Sequence, residues 1–112
     1  DGDPWTLIPD AGLRPLLGTS PEDLWSRDSN WIAADLEVVS PPLVTGTVHS
    51  ASGLTGDEAV VVASRDRIVG MTMIHPPRDE READFTILIQ DFDAGSLAAR
   101  ALPLKDLLRA AN

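Results

Sequence analysis

From Leu43 onward, apolar and polar positions alternate in short runs, and turn-forming residues close each run before a helical repeat can establish itself. The stretch Val44 to Ile74 shows this best. Val44-Thr45-Gly46-Thr47-Val48 gives way to Ser52-Gly53-Leu54-Thr55-Gly56-Asp57, then to the β-branched run Val60-Val61-Val62. A polar Ser64-Arg65-Asp66-Arg67 turn and Ile68-Val69-Gly70-Met71-Thr72-Met73-Ile74 follow. The pattern predicts a strand, a Gly-rich turn and a strand hairpin. Strands are expected at Leu43 to His49, Glu58 to Ser64, Arg67 to Ile74, Asp84 to Gln90 and Ser96 to Leu102.

The first 42 residues read differently. Pro4, Pro9, Pro15, Gly2, Gly12 and Gly18 interrupt residues 1–20, so no long regular element is expected there. This is an extended lead-in that lays Trp5, Leu7, Leu13 and Leu16 onto the domain. Ser20-Pro21-Glu22-Asp23 has the makings of a helix start, with a capping hydroxyl, a proline at the first helical position and acids at the positive end of the dipole. A short helix is expected over residues 21–27, with Leu24 and Trp25 facing inward. Trp31 to Leu36 fits either a strand or a helix, Glu37 to Ser40 resembles a short strand, and Pro41-Pro42 reads as a boundary. The charged, Pro-bearing run His75 to Glu82 predicts an exposed connection. Leu104, Leu107 and Leu108 have the spacing of a one-sided terminal helix.

Several short strands with frequent turns, preceded by a helical lead-in, predict a mainly β domain. The first expectation is a small antiparallel β-sandwich, and the alternative is an α+β layer with the 21–27 helix on one sheet. The whole chain, 1–112, is expected to be one domain: lead-in 1–42, sandwich core 43–102 and a terminal helix or tail 103–112.

Charge and composition remove several function classes. A net charge of −9 opposes binding to phosphate backbones, and the nine basic residues are dispersed, so neither nucleic acid nor an anionic membrane surface is an expected partner. The chain has no cysteine, which excludes disulfides, thiolate metal sites and thiol nucleophiles. No apolar stretch approaches the roughly 20 residues of a helical membrane span. Eight arginines against one lysine, with abundant Ala, Val, Pro and Asp, is the usage of a GC-rich coding sequence. The chain starts at Asp1 without a signal-peptide pattern, and a piece of something longer is expected.

Candidate chemistry is sparse. His49 and His75 are the only histidines, and neither has a second histidine at metal-ligand spacing. No Gly-x-Ser-x-Gly elbow places a serine nucleophile. Asp91-Phe92-Asp93-Ala94-Gly95 puts two carboxylates near a Gly turn, where they could converge on a hard cation, although a simple Asx-type turn accounts for the same residues. Gly53 and Gly56 resemble a phosphate-binding loop only superficially, because Gly-Lys-Ser/Thr is missing and Asp57-Glu58 follow directly. Trp5, Trp25 and Trp31 are three of five aromatic residues and are the candidate ligand-binding set, since an exposed indole can stack on a sugar ring. Core packing is the plainer account of them.

The segments Val44-Thr45-Gly46-Thr47-Val48, Gly56-Asp57-Glu58-Ala59-Val60-Val61-Val62 and Arg67-Ile68-Val69-Gly70 together resemble small Ig-like sandwich modules of bacterial envelope proteins. The resemblance covers about residues 43–102 and leaves the lead-in with its tryptophans unexplained. Such modules occur as extracytoplasmic domains of polytopic membrane proteins, including cell-wall glycosyltransferases of GC-rich actinobacteria. The resemblance implies a non-catalytic, cofactor-free domain of a larger membrane-anchored protein, one that binds or positions a glycan or a protein partner. No catalytic residue is carried over. Two further readings stand beside it: a free-standing metal-dependent hydrolase using Asp91, Asp93 and His49, and an acidic immunity-type protein that neutralises a basic partner.

Overall fold

The structure, a computed structural model, describes residues 19–27, 30–40, 42–65, 67–77, 79–89 and 97–111. The elements are α1 (Pro21–Trp25), β1 (Ile32–Ser40), β2 (Leu43–His49), β3 (Glu58–Ser64), β4 (Arg67–Met73), β5 (Glu82–Leu88), β6 (Leu97–Pro103) and α2 (Leu104–Ala111). The five expected strands agree with β2 to β6 within two residues at either end. The expected lead-in, however, contains β1, an interior strand of the sheet. The residues of β1 alternate: Ile32, Ala34 and Leu36 pack inward, while Ala33, Asp35 and Glu37 are exposed. The expected boundary falls inside a hairpin, because Ser40 of β1 pairs with Leu43 of β2.

All six strands form one antiparallel sheet in the order β4-β3-β6-β1-β2-β5. The mainly antiparallel β class is as expected, but a single curled sheet takes the place of the two sheets of an Ig-like sandwich. Its two ends approach one another: the His75 N–H, just beyond β4, donates to the Asp84 carbonyl of β5 at 2.8 Å. Glycines allow the curl. A Cβ on Gly70 would lie 2.7 Å from Ile87 Cδ1, and one on Gly46 would lie 2.7 Å from the Phe85 ring. The space over Gly70 is filled by Ile87 from across the curl and that over Gly46 by its paired neighbour Phe85, so a side chain at either site would have to displace a buried one.

The curl encloses a first core that includes Val44, Val48, Val60, Val62, Phe85, Ile87, Ala99 and Ala101. A second core lies on the outer face of β3, β4 and β6, where Leu24 of α1 and Leu107 and Ala110 of α2 cover Ala59, Val61, Ile68, Met71 and Leu102. The Val60-Val61-Val62 run follows from this. Strand β3 is buried on both faces, with Val60 and Val62 pointing into the curl and Val61 pointing under the helices. Arg27 ties the two helices together, its Nη1 donating to the Ala110 carbonyl at 2.6 Å while Nη2 pairs with Asp23 at 2.8 Å.

Candidate functional site

The helices cover one side of the curled sheet, and the outer face of β1, β2 and β5 is left to solvent among the described residues. Antiparallel register assembles this face. Asp35 pairs with Thr47, Thr47 with Asp84, His49 with Glu82, and Thr45 with Thr86. Because side chains alternate along each strand, the chain neighbours of inward-facing Val44, Val48 and Phe85 all point outward together. The face therefore carries Asp35, Glu37, Glu82 and Asp84, and the turn beside it adds exposed Asp79 and Glu80.

His49 sits in the middle of one row. Its Nε2 is 3.5 Å from Asp35 Oδ2 on β1, and its Nδ1 is 3.8 Å from Glu82 Oε1 on β5. Its side chain is 48% exposed, so water screens both contacts. His75 lies at the other row, its Nε2 3.1 Å from Thr86 Oγ1. Between them Thr47 is buried, and its hydroxyl donates to Glu37 Oε1 with Asp84 Oδ1 also within 3.4 Å. Two shallow depressions mark the face: one of about 600 Å³ that includes His49, Asp79, Glu80 and Glu82, and one of about 460 Å³ that includes Glu37, His75 and Asp84.

The basic residues lie elsewhere. Arg27 follows α1, Arg65 and Arg67 flank the β3–β4 turn, Arg100 lies on β6, and Lys105 and Arg109 lie on α2. Among the described residues only Arg81 accompanies the six carboxylates of the strand face and its turn. Among the described residues, six carboxylates thus share this face and its turn with one basic residue, a grouping that the dispersed sequence positions of the arginines conceal.

The sequence-derived candidates fall in different places. Trp5, Asp91 and Asp93 lie outside the described residues. Trp25 and Trp31 meet edge to face, with centroids 4.6 Å apart, and pack half-buried against the second core. The Trp31 Nε1–H donates to the Trp25 carbonyl at 3.1 Å, and the Arg100 guanidinium lies 4.9 Å from the Trp25 ring centroid. A sugar stacking on that side of Trp25 would have to displace Arg100.

The glycine loop does form an anion cradle, but it is filled from within the chain. Glu58 is buried, and its carboxylate accepts the Thr55 N–H at 3.1 Å, the Gly56 N–H at 2.9 Å and the Thr55 hydroxyl at 3.2 Å. Gly53 and Gly56 adopt φ of 99° and 97°, which lets the chain wrap around this carboxylate. Among the described residues no three His, Asp or Glu side chains are placed to hold a metal ion. No helix there is long and apolar enough to cross a membrane.

Comparison with protein-family models, curated proteins and solved structures gives no match.

What sequence reasoning missed is the joint face of Asp35, Glu37, His75, Glu82 and Asp84. The available signal was period-two placement of acids in three strands. It became a surface only through the pairing of β1 and β5 with opposite edges of β2.

Proposed function

We propose that this chain is a non-catalytic docking domain that binds a positively charged protein partner through the outer face of β1, β2 and β5, and that it belongs to a larger membrane-anchored envelope protein. The observation that carries the docking part is the separation of charge: six carboxylates with Arg81 on the strand face and its turn, and the other described basic residues outside it. Such a face attracts and orients a basic partner, and the attraction weakens as salt is added. The envelope assignment draws on the resemblance of residues 43–102 to envelope modules. The packing of Trp25 and Trp31 against the second core favours a protein partner over a stacked glycan.

Two variants of equal charge test the docking face. Asp35→Asn with Glu37→Gln removes two charges from the strand face, while Glu22→Gln with Asp57→Asn removes two from elsewhere. With a deca-lysine peptide as probe at low salt, the first pair is expected to lose several-fold more affinity than the second. Equal losses would mean that net charge alone acts, and the reading would fall. An antibody blot of fractionated native cells tests the parent: a membrane band much larger than the 12.0 kDa chain supports it, and a soluble band of that size refutes it.

A further inference from the structure

A cleft of about 500 Å³ opens where the start of β3, the end of β6 and the first turns of α2 meet the glycine loop, and it shares no residue with the docking face. Half-buried Pro103, Leu104 and Leu108 give it an apolar wall. Buried Glu58 and exposed Asp57 give it an anionic one, and exposed Lys105 stands beside them. The Leu104 N–H donates to the Asp57 carbonyl at 2.8 Å, which joins the two walls and holds the cleft ready-formed. Small-molecule sites have this size and this make-up, apolar walls with a few convergent polar groups.

Glu58 points to the chemistry of the occupant. It is 2% exposed, and both carboxylate oxygens accept: Oε1 from the Thr55 and Gly56 N–H groups at 3.2 and 2.9 Å, Oε2 from the Thr55 N–H and hydroxyl at 3.1 and 3.2 Å. Accepting at both oxygens is the pattern of an ionised carboxylate. These neutral donors offset its desolvation but bring no counter-charge, and among the described residues no basic side chain forms an ion pair with it. Buried charges are ordinarily paired. We propose that this cleft binds a small amphipathic amine, its apolar body against Pro103, Leu104 and Leu108 and its ammonium toward Glu58 and Asp57. Charge complementarity selects the head group, because an ammonium supplies the missing counter-charge with three donors, whereas an anionic head would join two carboxylates. Lys105 competes with the ligand from the rim. The proposal goes beyond the docking reading and does not depend on it.

The test titrates hexylamine, hexanol and hexanoate, three probes with one body and different head groups, near neutral pH while backbone amide NMR shifts are followed. Hexylamine is expected to give saturable shifts at Thr55, Gly56, Lys105 and Leu108, and to bind about ten-fold more tightly than hexanol, the order of one charge-assisted contact. Hexanoate should bind more weakly than either, and all three dissociation constants should be millimolar or above for probes this small. Glu58→Gln should abolish the preference for the amine over the alcohol. Because that residue is buried, two exposed variants carry the test independently of its folding: Asp57→Asn should weaken hexylamine binding and Lys105→Gln should strengthen it, each by about two-fold. Equal binding of hexylamine and hexanol, a preference for hexanoate, or no saturable shift with any probe would overturn the proposal. Hexylamine shifts confined to β1, β2 and β5 would overturn it too, since the amine would then be following the acidic face, and the docking reading would stand.

Discussion

Replacing Gly70 with alanine probes whether the two ends of the sheet close on each other. An alanine Cβ would lie 2.7 Å from Ile87 Cδ1, too close for a carbon pair, while Ile89 Cγ1 at 3.5 Å is an ordinary neighbour. The clash is therefore with one terminal methyl. Overpacking of this kind costs about 1–3 kcal/mol, less the fraction regained because alanine loses less backbone freedom than glycine. We expect G70A to destabilise by about 1.5 kcal/mol. Ile87→Val removes the offending Cδ1 and costs about 1 kcal/mol on its own as a cavity. Combined, the new methyl occupies the space that Cδ1 vacated, so G70A/I87V is expected to be more stable than the sum predicts by about 1–2 kcal/mol. Equilibrium urea unfolding reads this, since 1 kcal/mol moves the midpoint by about 0.5 M at the slope usual for small domains. Additivity within about 0.5 kcal/mol would mean that Gly70 and Ile87 do not touch. The approach of β4 to β5 would then be refuted at that point.

Gly46→Ala is expected to cost about 3 kcal/mol or more, because its Cβ would collide with the Asp35 backbone carbonyl as well as the Phe85 ring, and a backbone carbonyl cannot swing aside; a urea midpoint within error of wild type would contradict the inner placement of this glycine. Glu58→Ala leaves the Thr55 and Gly56 amides without their acceptor, so a loss of about 2 kcal/mol is expected together with faster hydrogen exchange at those two amides. Unchanged exchange would show that the cradle is held by something else. Trp31→Phe removes the indole N–H bond to Trp25 and is expected to lower the thermal midpoint by about 5 °C, on the basis of about 1 kcal/mol. A stable variant that lost binding of a glycan probe would instead return this tryptophan to a ligand role.

The parts of the fold set by neighbours in sequence were legible, and those set by distant neighbours were not. Arg65, with φ of 57°, turns β3 into β4 within the polar turn expected between two apolar runs. The Val60-Val61-Val62 run marked a strand, but that it has a core on each face depends on α1 and α2, residues far away in sequence. Strand β1 was ambiguous because Ala33 and Ala34 suit a helix by intrinsic preference, and pairing with both β2 and β6 overrides that preference. The curl itself depends on Gly46 opposite Phe85 and Gly70 opposite Ile87, and nothing local to either glycine names its partner. The docking face was hidden for the same reason, since Asp35, His49 and Glu82 become neighbours only after three strands align.

The place of β6 has a consequence for synthesis. It sits between β3 and β1 and, among the six described strands, joins the β4-β3 ribbon to the β1-β2-β5 ribbon. A ribosome releases it last of the six, so until Pro103 has left the exit tunnel the nascent chain holds two ribbons, each with an open edge waiting for the same missing strand. Slow elongation over residues 97–103 would prolong that exposure, and a chaperone that shields strand edges would matter most during this interval.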